Sequence, residues 1–220
     1  MIIKLISIPK IIFQRIFCPL RSWILTKLYV DKGKGRIIVK DPFLKIRIKK
    51  GRGSIFELNG ILKIEPYICG NAPVNIVLSS NSQLIINGNF DIGHGVTISL
   101  GSNSKLLIGG ALAESSGITC NTLILVYKHV EIGKDFICAW DVTITDSDWH
   151  TIVGTEYFKS VTIGDHVWIA QKSCILKGSE IGNNCIIAAC SKVTNKKYPD
   201  NVLIAGTTGG VVKENISWKR

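Results

Sequence analysis

The chain has 220 residues, 27 Lys and Arg against 16 Asp and Glu, and a formal net charge of +11. Its 46% hydrophobic content supports a packed core and excludes disorder over most of the length. Residues 1–50 hold 13 basic side chains and two acids, Asp31 and Asp41, whereas residues 51–220 sum to zero, which excludes a uniformly basic nucleic-acid binder.

The front end, residues 1–30, is apolar and carries Lys4, Lys10, Arg15, Arg21 and Lys27 with no acid. Those charges interrupt every apolar run before it reaches the roughly 18 residues of a membrane span, and a clean signal-peptide core is missing. On a helical wheel Ile2, Leu5, Ile6, Ile12, Phe13, Ile16, Phe17, Leu20, Trp23 and Ile24 share one side, opposite Gln14, Arg15, Arg21 and Ser22. The pattern predicts a basic amphipathic helical segment, broken by Pro9 and Pro19 into two or three pieces. Two readings stay open: its apolar face caps the body or an oligomer contact, or it lies in a membrane surface as a peripheral contact.

Between residues 55 and 130 short strands alternate with Gly and Asn turns, with Ile86, Ile92 and Ile98 in six-residue register, then Ile118, Ile124 and Val130. Val126, Ile132, Cys138 and Ile144 continue it. From residue 160 it becomes strict: Ile163, Ile169, Ile175, Ile181, Ile187 and Val193. Four positions after the first five anchors come Val167, Ser173, Ser179, Cys185 and Ser191. Period six is neither helical nor a simple strand alternation; it predicts a parallel β-helix, with each anchor inside a three-sided prism. About eight coils of roughly 18 residues would stack at about 4.8 Å each. Seven scattered Cys without a CxxC pair fit a reducing compartment, and Cys138 and Cys185 read as interior small residues. His94 and His166, just past Gly positions, are expected at outward corners; His129 reads as surface or coil edge.

One interval breaks the register. The step from Ile144 to Ile163 is not a multiple of six, so a loop over 145–160 leaves the prism, beginning Thr145-Asp146-Ser147-Asp148-Trp149-His150. An excursion from a rigid repeat is where binding and catalytic residues collect.

Asp146-x-Asp148-x-His150, Val161-Thr-Ile-Gly-Asp-His-Val-Trp-Ile169, Ile175-Leu-Lys-Gly178, Ile181-Gly182 and Val211 to Trp218 resemble the hexapeptide-repeat acyltransferases with a left-handed β-helix. The resemblance is nearest to the O-acetyltransferases of bacterial surface-polysaccharide clusters, and covers residues 130–218 well. It implies an all-β fold, a left-handed parallel β-helix over 31–207 between the helical segment 1–30 and a tail, 208–220, ending in a short helix. It also implies a homotrimer with acetyl-CoA as co-substrate in the groove between subunits, no metal, and a glycan or lipid-linked sugar acceptor. By motif His150 would be the general base, with Asp146 or Asp148 orienting its ring; the alternative for both acids is turn capping. Trp168 would lie by the substrate groove. Backbone around Ala170, Gln171, Ala188 and Ala189 would bond the pantetheine amides, and Lys196, Lys197 and Lys213 would meet the phosphates. Here the chain departs from the family: Gly206-Thr207-Thr208-Gly209-Gly210 replaces a Gly-Asn-Pro-Ala-Lys segment, which removes a proline and a base. The implied place of work is the bacterial cytoplasm, at or near the inner face of its membrane.

Rival readings are an amino-sugar-nucleotide N-acetyltransferase, a serine acetyltransferase, a γ-type carbonic anhydrase and a non-catalytic β-helix scaffold. The first two would need a nucleotide pocket or a helical N-terminal domain, which the basic apolar front end does not supply. The anhydrase needs two His only a few positions apart in sequence, and here the nearest two are His150 and His166.

Overall fold

The computed structural model describes residues 2–67, 70–111 and 116–220, and within α1 the side chains from Gln14 onward. The wheel positions before Gln14, and Cys69, lie outside the described side chains. After α1 (Ile2–Tyr29) the chain winds through short strands that stack as three sheets of nine, seven and seven strands, parallel except for the last strand of the first. The first face begins with Arg36–Val39, the second with Ile46–Lys50, the third with Ile55–Leu58. Each turn visits all three in order, closing the expected left-handed parallel β-helix.

The prism interior explains the period. Ile163, Ile169, Ile175, Ile181, Ile187 and Val193 are all buried, and so are Val167, Ser173, Ser179, Cys185 and Ser191. Each aliphatic anchor taken fully from water contributes about 1.5–3 kcal/mol. The interior serines are satisfied locally: Ser179 Oγ donates to the Leu176 carbonyl at 2.6 Å and Ser173 Oγ to Ala188 at 2.9 Å. Cys138 and Cys185 are interior as expected, and burial pushes the Cys138 thiol up to about 12.

Coil length is not the constant that the strict hexad suggests. Arg36 pairs with Ile61 and Leu62 with Phe90, whereas Trp168 pairs with Ile186, so the early turns are clearly longer than the late ones. Early strands are mostly four or five residues long, late ones mostly two, and only the late coils obey the hexad strictly. Asparagine and aspartate rather than glycine make many of the corners: Asn81, Asn103, Asn121, Asp135, Asp141, Asn184, Asn195 and Asn201 all have positive φ. Their short polar side chains tolerate the left-handed region.

Three expectations need correction. α1 is one continuous helix through Pro9 and Pro19, not two or three pieces. It is clamped from outside: Ser22 Oγ accepts the Val39 N–H and Thr26 Oγ1 the Ile37 N–H, both at 2.9 Å. Gln14 Nε2 donates to the Lys40 carbonyl at 2.6 Å, and Arg21 to Pro42 at 3.0 Å. The missing proline N–H groups are a local loss against that docking. Second, the apolar side of the helix is not what caps the body. Cys18, Ser22 and Thr26 face the first strand, while Ile16, Leu20, Trp23, Ile24 and Leu28 are exposed. Third, the tail forms no helix. Gly210–Lys213 folds back antiparallel on Leu203–Ala205, because that last rung of the first face has an unpaired edge and Gly206 and Gly209 supply the positive φ needed to reverse.

Candidate active site

The loop leaves the second face after Thr143–Thr145 and returns at Val161–Ile163 on the third, so it projects from the corner between them. Ile132 pairs with Ile163, whereas Ile163 pairs with Ile181, so the turn that carries the loop is far longer than the turn after it. The loop's base is a short antiparallel ribbon. Ser147 bridges Phe158, the Asp148 N–H donates to Tyr157 O at 3.2 Å, and the Lys159 N–H to Asp146 O at 3.0 Å.

Asp146 anchors that ribbon. Its carboxylate is fully buried and accepts three backbone N–H groups from the preceding coil, Tyr127 at 2.6 Å and Lys128 and His129 at 2.7 Å each. Charge-assisted bonds of this kind are the strong ones, and they fix where the loop starts. Asp148 is engaged by Lys177, whose ammonium also donates to the Glu156 carbonyl. Neither carboxylate is bonded to His150 among the described residues. Asp146 pins the loop's root and Asp148 its far side.

Between these pins sits Trp149, with φ +60°, a conformation a bulky side chain adopts at a cost of about 1 kcal/mol or more. Its N–H donates to Ser147 Oγ and its indole Nε1 to Thr145 Oγ1, both at 3.1 Å. The strained turn throws the next residue, His150, outward into solvent. There it joins Tyr127, Trp149, Thr151, Tyr157 and Phe158 around a hollow of about 540 Å3. Tyr127 is the hub: its ring lies 4.8 Å from Tyr157, 5.5 Å from Phe158 and 6.1 Å from Trp149, the first and last edge-on. Tyr127, Tyr157, Phe158 and Lys177 are site residues that the sequence pattern did not single out. Register carries the signal for Tyr127, since Leu125 pairs with Thr145 and extending that ladder puts Tyr127 beneath the loop's root.

The remaining predicted residues gather elsewhere. Trp168 lies on the first face; Ala170 and Gln171, then Ala188 and Ala189, stack at the next corner of successive coils. The N–H groups of Ala170 and Ala188 are not available to a ligand, since they donate to Ile187 O and Ile204 O at 2.9 Å. Those of Gln171 and Ala189 carry no such bond among the described residues. Lys197 pairs with Glu180 at 2.8 Å on the third face, which raises its pKa. Lys196 donates to Gly209 O at 3.3 Å, and Lys213 is exposed on the tail strand. The three lysines expected at the phosphates thus do not converge on the Ala170–Ala189 corner.

The other histidines have structural surroundings. His94 is buried, not at an outward corner: its Nδ1 accepts the Tyr67 N–H at 3.1 Å, and a Cβ on Gly70 would lie 1.9 Å from its Nε2. His166 is at a corner but covered by the tail, its ring stacked on Trp218 at 4.0 Å, and Trp168 lies 6.0 Å from that same indole. His129 faces Glu131 at 3.7 Å.

Residues 160–195 match the family model described as bacterial transferase hexapeptide (six repeats). An uncharacterized 24.8 kDa protein in the cps region of Klebsiella pneumoniae is 27% identical over 204 residues, 84% of each chain. The galactoside O-acetyltransferase of Lactococcus lactis is 38% identical over 93 residues, 40% of this chain and 41% of that enzyme. The polysialic acid O-acetyltransferase of Neisseria meningitidis is 29% identical over 97 residues, covering 41% and 45%. The match thus spans under half the length of the two named acetyltransferases and most of the Klebsiella protein. Residues 160–195 thus match a transferase hexapeptide model, and two of the partly matching relatives are named O-acetyltransferases.

Proposed function

We propose that this chain is an acetyl-CoA-dependent O-acetyltransferase that acylates a sugar hydroxyl of a bacterial surface polysaccharide or its lipid-linked precursor. The observation that carries the reading is His150, held outward by a braced, strained turn on the wall of an aromatic hollow. The neutral imidazole accepts the proton of the acceptor hydroxyl as its oxygen attacks the thioester carbonyl. Collapse of the tetrahedral species breaks the C–S bond, and the imidazolium returns the proton to the leaving thiolate. A positioned base of this kind contributes about 10²–10⁴-fold, and holding both substrates together supplies much of the rest. The rings of Tyr127, Trp149, Tyr157 and Phe158 suit the C–H face of a pyranose, with the base at the rim. Corner N–H groups at Gln171 and Ala189 suit the amides of a pantetheine arm.

His150 and the Gln171–Ala189 corner belong to different edges of one prism. A site that uses both takes the loop from one copy and the corner from its neighbour, which supports a homotrimer with sites between subunits. The loop tip fits that reading, because Val153 is 97% exposed and Ile152 is 56% exposed in the single chain. The reaction belongs to the cytoplasm, where acetyl-CoA is available.

The test is His150→Ala, followed by free-thiol release from acetyl-CoA with candidate sugar acceptors. Turnover should fall by at least about a hundredfold with assembly unchanged. Near-normal turnover would remove His150 from the mechanism. Failure of the unaltered chain to release thiol with any acceptor would favour a non-catalytic scaffold.

A further inference from the structure

Amphipathic helices of globular proteins turn their apolar side inward. In α1 Cys18, Leu25 and Tyr29 turn inward, but most of the described apolar side chains do the reverse. Ser22 and Thr26, one turn apart, accept the two N–H groups that Arg36–Val39 leaves unpaired at the edge of the first face. Gln14 and Arg21 extend that line of contacts to the Lys40 and Pro42 carbonyls. The opposite side shows Ile16 60%, Leu20 50%, Ile24 39% and Leu28 67% exposed, and Trp23, 61% exposed, stands at its border, where with Lys27 it also lines the groove between α1 and Arg36–Lys40. At 100° per residue these five fall within one stripe along three turns, with Lys27 inside it.

From this inverted docking we propose that the outward face of α1 lies on the surface of an anionic lipid bilayer. The occupant follows from charge. Residues 1–50 carry a net +11, and Lys32, Lys34, Arg36, Lys40, Lys45 and Arg47 are exposed around the base of the helix. A second copy offers an equally basic front end and a body of zero net charge, so it brings no net negative charge to this region. Anionic headgroups supply it, each attracting the bases held near the surface. The helix is already folded and fixed, so binding needs no ordering of the chain. No described helix is long and apolar enough to cross a membrane. α1 would therefore lie in the interface plane, with Trp23 at the headgroup boundary and Lys27 reaching up to it. Bilayer contact goes beyond the acetyl-transfer reading and stands without it.

The experiment is flotation of the full chain with phosphatidylcholine vesicles, with and without phosphatidylglycerol, over a range of salt. Binding should require phosphatidylglycerol and weaken as salt rises. A Leu20→Glu/Trp23→Glu variant should lose at least about tenfold in vesicle affinity, with assembly state and thiol release toward a soluble acceptor unchanged. Leu20→Ser/Trp23→Ser, which adds no charge, should also bind less. Absence of flotation at low salt, or equal flotation of both variants, overturns the proposal. So does a wild-type chain that stays off vesicles while the variants fall into smaller assemblies, which would assign the stripe to a second copy.

Discussion

The two excursions from the prism, the loop over 146–160 and α1, are folded opposite ways round. The loop turns its rings toward one another over Tyr127 and roots itself with a buried carboxylate on three backbone N–H groups. α1 also attaches through polar groups that accept backbone N–H, yet beyond Leu25 and Tyr29 it sends most of its large side chains away from the molecule. The common cause is the closed sheet. A three-sided prism fills its own interior with its own anchors, so an attached element finds little apolar surface to bury against. Free backbone donors at strand edges and corners are what remains, and both excursions use them. The loop then makes an open hollow from its aromatics and Tyr127 of the coil below, while the helix leaves most of its apolar side chains exposed.

Removing the loop's root gives the largest expected effect. Asp146→Ala leaves three buried N–H groups without their acceptor, and Asp146→Asn substitutes a donor among donors. Unfolding in urea should show a loss of about 3–5 kcal/mol for either, with acetyl transfer lost as the hollow opens. If Asp146 oriented His150 instead, Asp146→Asn would keep its stability and lose only turnover. A stable, inactive Asp146→Asn would therefore reverse the assignment made from its three bonds.

The repeat is legible in the sequence because the prism interior demands an aliphatic residue at each sixth position, whatever the rest does. That logic works best where strands are short and corners are minimal, from Val161 to Val193. It fails for the early coils, where the turn that brings Phe90 back beside Leu62 is long enough for the hexad to dissolve. His150 is legible by its motif and by the broken register. The aspartates beside it are legible as residues but not as roles, since nothing along the chain shows that Asp146 meets Tyr127–His129. The stripe on α1 is also plain on a wheel. Its direction is not, because Ser22 and Thr26 read as ordinary polar positions until the unpaired N–H groups of Ile37 and Val39 are seen opposite them. The tail hides its strand for a related reason: a free edge at Leu203–Ala205 recruits Gly210–Lys213, and no local pattern in the tail announces it.

The helix attachment should be weaker than the loop's. Ser22→Ala/Thr26→Ala removes two hydroxyl acceptors from N–H groups at a half-exposed edge, about 1 kcal/mol each. Hydrogen exchange at the Ile37 and Val39 amides should speed up by roughly thirtyfold for a combined loss near 2 kcal/mol, while amides of the late coils stay protected. The bared strand edge would also favour edge-to-edge association at high concentration. Unchanged exchange at those two amides would mean that packing from Leu25 and Tyr29, and not the hydroxyls, holds the helix.

The smallest effect belongs to the loop's outer brace. Lys177 touches Asp148 and the Glu156 carbonyl, and the pair is partly open to solvent, with side-chain exposures of 16% and 29%. A partly exposed ion pair contributes about 1 kcal/mol or less, so Lys177→Met should barely move global stability. Its consequence is local: the ribbon carrying Tyr157 and Phe158 loses one of its ties to the coil behind, keeping those at Lys159, so one wall of the hollow loosens. Since His150 is positioned by the turn at Trp149 and the root at Asp146, the acceptor KM should rise by a few-fold while kcat changes less. A fall in kcat with KM unchanged would instead put Lys177 in contact with the reacting groups, and would extend the chemical part of the site beyond the hollow.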